Sequence, residues 1–225
     1  MTVTQHADLS LRYILSVPSG KPDTEPMPLV VIMHGRGADA NDLADVAPMI
    51  EVPPGCRFVF PNAPRAFEAY PGMSFGFSWF DGWPPQGKTF ADSRELVLRF
   101  LDEIVARYPT TKVVLVGFSQ GGLMALDVGF RTKEPIAGIV CMSGALHEGD
   151  LPDLRARRDQ KVLLVHGSGD DVIPVLAARR ARLVLGEHGI EPDYYEFPMG
   201  HNVTVESMAA VRQFVARALL SQEPE

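Results

Sequence analysis

The sequence predicts an α/β fold, with a mostly parallel central sheet and helices on both faces. Short runs rich in Val, Ile and Leu recur along the chain, each ending at Gly, Pro or Ser. Several are apolar throughout, as strands covered on both faces are. Segments of helical period lie between them, and that alternation is the pattern that builds parallel sheets.

The strand runs are 11–17 (LRYILSV), 29–33 (LVVIM), 57–61 (RFVFP), 112–116 (KVVLV), 136–142 (IAGIVCM), 161–165 (KVLLV) and 193–197 (DYYEF). The first runs precede any long helix and are expected to form an antiparallel edge, with the Pro-rich stretch 18–28 as a loop between them. Residues 62–90 break the alternation and read as one long loop without clear period. It holds Phe67, Tyr70, Phe75, Phe77, Trp79, Phe80, Trp83 and Phe90. That aromatic content argues against disorder and for a loop that packs down and walls an apolar pocket.

The next segment, 91–108, places Leu96, Phe100, Ile104 and Tyr108 at intervals of four, one face of a helix. Thr89 and Asp92 are spaced as a capping-box variant at its start. Leu123, Leu126 and Phe130 give a helix after residue 119. Residues 175–188 are followed by Gly189, Ile190 and Pro192, a helix stop. A last helix spans Val203 to about Leu220. No repeat or low-complexity linker divides the chain, so 1–225 reads as one domain without a large separate lid domain.

Composition excludes several function classes. The formal net charge is −7, which argues against nucleic acid, whose binding needs a clustered basic surface. Cys56 and Cys141 stand far apart, outside any metal-ligand spacing, and imply no disulfide framework. The N-terminus MTVTQHADLS lacks a signal-peptide pattern, and the longest apolar runs are too short to cross a bilayer. The expectation is a cytoplasmic protein without stable membrane insertion.

Chemistry concentrates at VVLVGFSQGG, residues 113–122. Gly117, Ser119 and Gly121 fit G-x-S-x-G, a tight strand-to-helix turn that lifts a serine Oγ above the sheet. The helix N-terminus beneath it favours developing negative charge. A serine nucleophile needs a base and a group that orients the base, in the chain order Ser, acid, His. Of six histidines, His201, between the run DYYEF and the last helix, is the candidate base, and His147 is the alternative. The acid should leave the strand between them, where HGSGDDVIP offers Asp170 and Asp171. Spacing does not choose between these neighbours. The Gly-rich turn HGRG offers inward N–H groups, so Arg36 and Gln120 are the expected oxyanion donors. No metal site or cofactor is implied.

The segments MHGRGADAND, PNAPR, SWFD, GFSQGG, HGSGDDVIP and MGHNV, in this order, resemble the bacterial phospholipase/carboxylesterase family of the α/β-hydrolase superfamily. The likeness runs from about residue 29 to 218. It implies the α/β-hydrolase fold, and it selects Asp170 as the acid, with Ser119 and His201 as its partners. It also places Trp79 and Phe80 beside the acyl pocket as substrate contacts. Two features depart from the acyl-protein thioesterases of the family: Arg36 stands where an apolar residue is usual, and 65–90 is unlike their acyl-tunnel loops. The expectation is therefore a serine carboxylesterase for small to medium esters. A lysophospholipase or acyl-protein thioesterase is the alternative, and a non-catalytic binding protein of hydrolase fold is a remote one. The resemblance also implies a homodimer.

Overall fold

The computed structural model describes residues 1–44, 47–50, 52, 55–70, 72–85 and 87–220. The strands are β1 (Thr2–His6), β2 (Tyr13–Val17), β3 (Met27–Met33), β4 (Arg57–Pro61), β5 (Arg65–Tyr70), β6 (Met73–Ser78), β7 (Thr110–Phe118), β8 (Ile136–Met142), β9 (Val162–Gly167) and β10 (Asp193–Phe197). The helices are α1 (Ala40–Ala44), α2 (Ala47–Ile50), α3 (Lys88–Arg107), α4 (Gln120–Gly129), α5 (Leu176–Glu187) and α6 (Val205–Leu220). Eight strands form one sheet in the order β1-β2-β4-β3-β7-β8-β9-β10. The pairs β1–β2 and β2–β4 are antiparallel, and every pair from β4 across to β10 is parallel.

The apolar strands are buried on both faces because helices cover both. Along β3, Leu29, Val31 and Met33 join the core beneath α3, α4 and α5, while Val30 and Ile32 join the core beneath α1, α2 and α6. In β7, Val113 and Leu115 divide from Val114 and Val116 in the same way. A side-chain period of two therefore feeds two separate cores. From β3 the chain turns back to β4 on one side, and from β7 it goes on to β8 on the other. The C-terminal ends of β3 and β7 thus flank a topological switch point, where open α/β sheets bind ligands.

Three features differ from the sequence reading. Part of the segment read as an irregular loop is regular: β5 and β6 form an antiparallel hairpin with two register shifts. Most of its residues are exposed or half-buried, so no inward face marks its period. The strand β1 carries exposed residues and is held through its pairing with β2. The capping box at Thr89 is absent. Helix α3 begins at Lys88 after Gly87 (φ 70°), without a side-chain cap, and Thr89 Oγ1 accepts the Asp81 N–H at 3.2 Å instead. A tertiary partner has taken the hydroxyl from the local one.

Candidate active site

Ser119 is the single residue between β7 and α4. Its backbone has φ 56° and ψ −120°, a region that non-glycine residues rarely occupy. The turn is tight enough that glycine is obligatory around it. A Cβ on Gly117 would stand 2.0 Å from the Gly121 carbonyl oxygen, and one on Gly121 would stand 2.1 Å from the Met33 oxygen. The second contact presses the elbow against the end of β3, where the Gly35–Gly37 turn begins. Gln120 is the first residue of α4, and first-turn N–H groups have no intrahelical acceptor.

Two distant loops meet over Ser119. The segment after β9 is joined to the segment after β10 by backbone hydrogen bonds. Ser168 N–H donates to Phe197 O at 2.8 Å, and Gly169 N–H donates to Met199 O at 3.1 Å. Gly167 permits this approach, since a Cβ there would be 2.3 Å from Met199 O. The result puts Asp170 beside His201. Ser119 Oγ lies 2.9 Å from His201 Nε2, and His201 Nδ1 lies 2.8 Å from Asp170 Oδ2. Phe118 flanks the imidazole, with ring centroids 4.9 Å apart.

Asp170 is the aspartate of the pair that faces His201, while Asp171 is exposed. Asp170 Oδ1 accepts the N–H groups of Val172 (3.0 Å) and Ile173 (2.8 Å). Burial alone would raise its pKa. The His201 hydrogen bond and the two backbone donors outweigh burial and hold the carboxyl below the usual carboxylate range. His166 also approaches Oδ2, at 3.4 Å, while its Nε2–H donates to Ile173 O at 2.8 Å. His147, the alternative base, instead sets its ring 4.6 Å from that of Phe90.

Arg36 lies in the turn after β3, with its guanidinium carbon 5.3 Å above the Phe67 ring of the hairpin. The hairpin clasps this turn. Gly37 N–H donates to Phe77 O at 2.8 Å, and Phe77 N–H donates to Ala38 O at 2.9 Å.

Trp79 and Phe80, the substrate contacts that the resemblance implies, are packed close to Gln120 of the elbow. Both are 0% exposed. They brace the elbow. The Trp79 N–H and Ser78 Oγ–H donate to Gln120 Oε1 (3.0 and 3.1 Å), and Gln120 Nε2 donates to Phe80 O at 2.9 Å. Trp79 Nε1–H donates to His34 O at 2.8 Å. The physical reason is that a buried indole or carboxamide must find polar partners, and these lie under the site. Sequence reasoning missed this clamp. A serine directly before two large aromatics was its only local sign.

Both cysteines are buried, and burial pushes the Cys141 thiol up to about 12, so it carries no thiolate at neutral pH. No group of metal-ligating side chains occurs among the described residues. No helix among them is long and apolar enough to cross a membrane.

Residues 19–219 match the family described as Phospholipase/Carboxylesterase. An acyl-protein thioesterase 1 of Mycosarcoma maydis is 26% identical, covering 88% of this chain and 94% of that protein. The crystal structure of esterase PE8 superposes with a TM-score of 0.74 at 29% identity, over 92% of this chain and 99% of that one. A carboxylesterase from Mesorhizobium loti gives a TM-score of 0.80 at 20% identity, over 96% and 99%, a likeness of fold.

Proposed function

The chain belongs to the phospholipase/carboxylesterase family and is a carboxylic ester hydrolase, and on that premise we propose that it cleaves small to medium carboxylic esters through Ser119, His201 and Asp170. Ser119 Oγ attacks the ester carbonyl carbon while His201 Nε2 takes its proton. Asp170 accepts the Nδ1–H of His201, keeps the tautomer that leaves Nε2 free, and stabilises the imidazolium. The N–H groups of Arg36 and Gln120 hold the oxyanion of the tetrahedral intermediate. On collapse, His201 returns the proton to the departing alcohol and an acyl-Ser119 remains. Water, deprotonated by His201, then releases the acid and restores Ser119.

The observation that carries this reading is the unbroken chain of short contacts, 2.9 Å from Ser119 to His201 and 2.8 Å from His201 to Asp170. The strained backbone at Ser119 supports it, because strain of that kind collects at functional positions. A fluorophosphonate probe tests it: intact protein should gain one adduct mass, and Ser119→Ala should gain none. Equal labelling of both would sink the assignment.

A second reading rests on the similarity to an acyl-protein thioesterase: the same residues acting on a longer acyl chain or a thioester. Chromogenic esters of rising chain length, beside an acyl thioester, separate the two. Small-ester preference predicts a steep fall in kcat/KM beyond roughly eight acyl carbons, as a short pocket imposes.

A further inference from the structure

His34 directly follows β3, at the threshold of the Gly35–Arg36 turn, and is fully enclosed. Both ring nitrogens are engaged. Nε2 lies 3.0 Å from the Ala63 N–H, which can only donate, so Nε2 is the unprotonated nitrogen. The proton therefore sits on Nδ1, which donates to the Gly35 carbonyl oxygen at 2.6 Å. The main chain of His34 is held as well, through the Trp79 indole on its oxygen.

The Gly35 C=O and the Arg36 N–H belong to one trans peptide group, so they point in opposite directions. A donor that grips the oxygen also fixes where the N–H points. The turn needs such a grip. Gly35 has no side chain to restrict its ψ, and Gly37, with φ 82°, flanks Arg36 on the other side. The same turn lies against the nucleophile, since a Cβ on Gly35 would stand 3.3 Å from Ser119 Cβ.

We propose that His34 is a positioning residue for the oxyanion hole: its Nδ1–H holds the Gly35–Arg36 peptide plane so that the Arg36 N–H faces the carbonyl oxygen under attack by Ser119. This rests on the reading of Ser119 as nucleophile and the Arg36 N–H as an oxyanion donor. The imidazole does not touch substrate. It acts through the peptide.

Two substitutions separate its contacts. The amide nitrogen of asparagine reaches the place of Nδ1, so His34→Asn keeps a donor for Gly35 O and abandons the Ala63 N–H. The carbonyl oxygen of glutamine reaches the place of Nε2, so His34→Gln keeps the Ala63 contact and releases Gly35 O. Losing an oxyanion donor costs on the order of 10²–10³ in kcat, so His34→Gln is expected to lose about 10² in kcat with KM within about threefold. Its affinity for an alkyl boronic acid, which forms a tetrahedral adduct on serine, should fall by a similar factor. His34→Asn should keep kcat within about tenfold while being the less stable in urea, because it leaves a buried N–H without an acceptor. Activity and stability then rank the two variants in opposite orders. The proposal is overturned if His34→Gln retains wild-type kcat, or if kcat in both variants simply follows the urea midpoint. Ser119→Ala distinguishes the failures. If it is inert while His34→Gln is fully active, the role of His34 alone is wrong. If it still hydrolyses the ester, the nucleophile assignment fails and this role fails with it.

Discussion

Replacing Asp170 with asparagine should remove most activity while leaving the fold in place, and the geometry says why. Asp170 Oδ1 accepts two backbone N–H groups, from Val172 at 3.0 Å and Ile173 at 2.8 Å. An asparagine must keep its carbonyl oxygen there, because its NH₂ would face two donors. The NH₂ then takes the place of Oδ2, 2.8 Å from His201 Nδ1. An NH₂ can only donate, so Nδ1 must lose its proton and Nε2 must carry it. The imidazole then presents N–H to Ser119, when it must present a lone pair. A wrong tautomer of this kind costs about 10⁴ in kcat, which at 1.36 kcal/mol per tenfold is roughly 5.4 kcal/mol of transition-state stabilisation. Initial rates on a short chromogenic ester measure the loss, and a urea midpoint checks that the fold survives. Asp171→Ala is the control: its side chain is exposed, and most activity should remain. The reasoning fails if Asp170→Asn stays within tenfold of wild type, or if Asp171→Ala loses as much.

Further outcomes follow from the same geometry. The depressed pKa of Asp170 means that its carboxylate stabilises the fold at neutral pH. That contribution is intact above the unfolded-state value of roughly 3.9 and is lost as pH falls through the lower folded value. Urea midpoints of wild type should therefore fall faster than those of Asp170→Asn below about pH 4; parallel curves would contradict this. Gly121→Ala would place a Cβ 2.1 Å from Met33 O, so the elbow must shift, and displacement of about 1 Å costs on the order of 10² in rate. Wild-type kcat in that variant would refute the tight contact between the elbow and β3. Arg94 holds the enclosed Asp127 carboxylate through two bonds, of 2.6 and 2.9 Å, with Arg131 Nε at 3.3 Å. Arg94→Ala should cost about 3 kcal/mol in chemical denaturation, the low end for a broken buried pair because Arg131 remains, and a loss below about 1 kcal/mol would show that the pair is dispensable.

The seven strand runs and four long helices were legible because their signals are local. An apolar run such as KVLLV announces a strand covered on both faces wherever it stands. The hairpin of β5 and β6 was not legible, because most of its residues are exposed or half-buried and no regular inward face sets a period. Thr89 looked like a cap because the spacing was right, but the Asp81 N–H took its hydroxyl. The resemblance marked Trp79 and Phe80 as substrate contacts, but their enclosure and their bonds to Gln120 were not legible in the sequence, because Gln120 lies about forty residues away in the chain.

By itself, the sequence determined the layered α/β architecture and the place of Ser119 on a strand-to-helix turn. Both follow from forces between residues close in the chain: the burial of successive side chains on two faces, and the room that only glycine leaves in a tight bend. Spacing left the aspartate open and the family resemblance selected Asp170; the tertiary structure supplied the contact itself, His201 Nδ1 to Asp170 Oδ2 at 2.8 Å. That contact depends on hydrogen bonds that join residues 168–169 to 197–199. Tertiary structure alone gave His34 its two partners, Gly35 O on one side and Ala63 N–H on the other. A side chain's polar partners depend on which loops the sheet order brings together, and that order is a property of the folded chain.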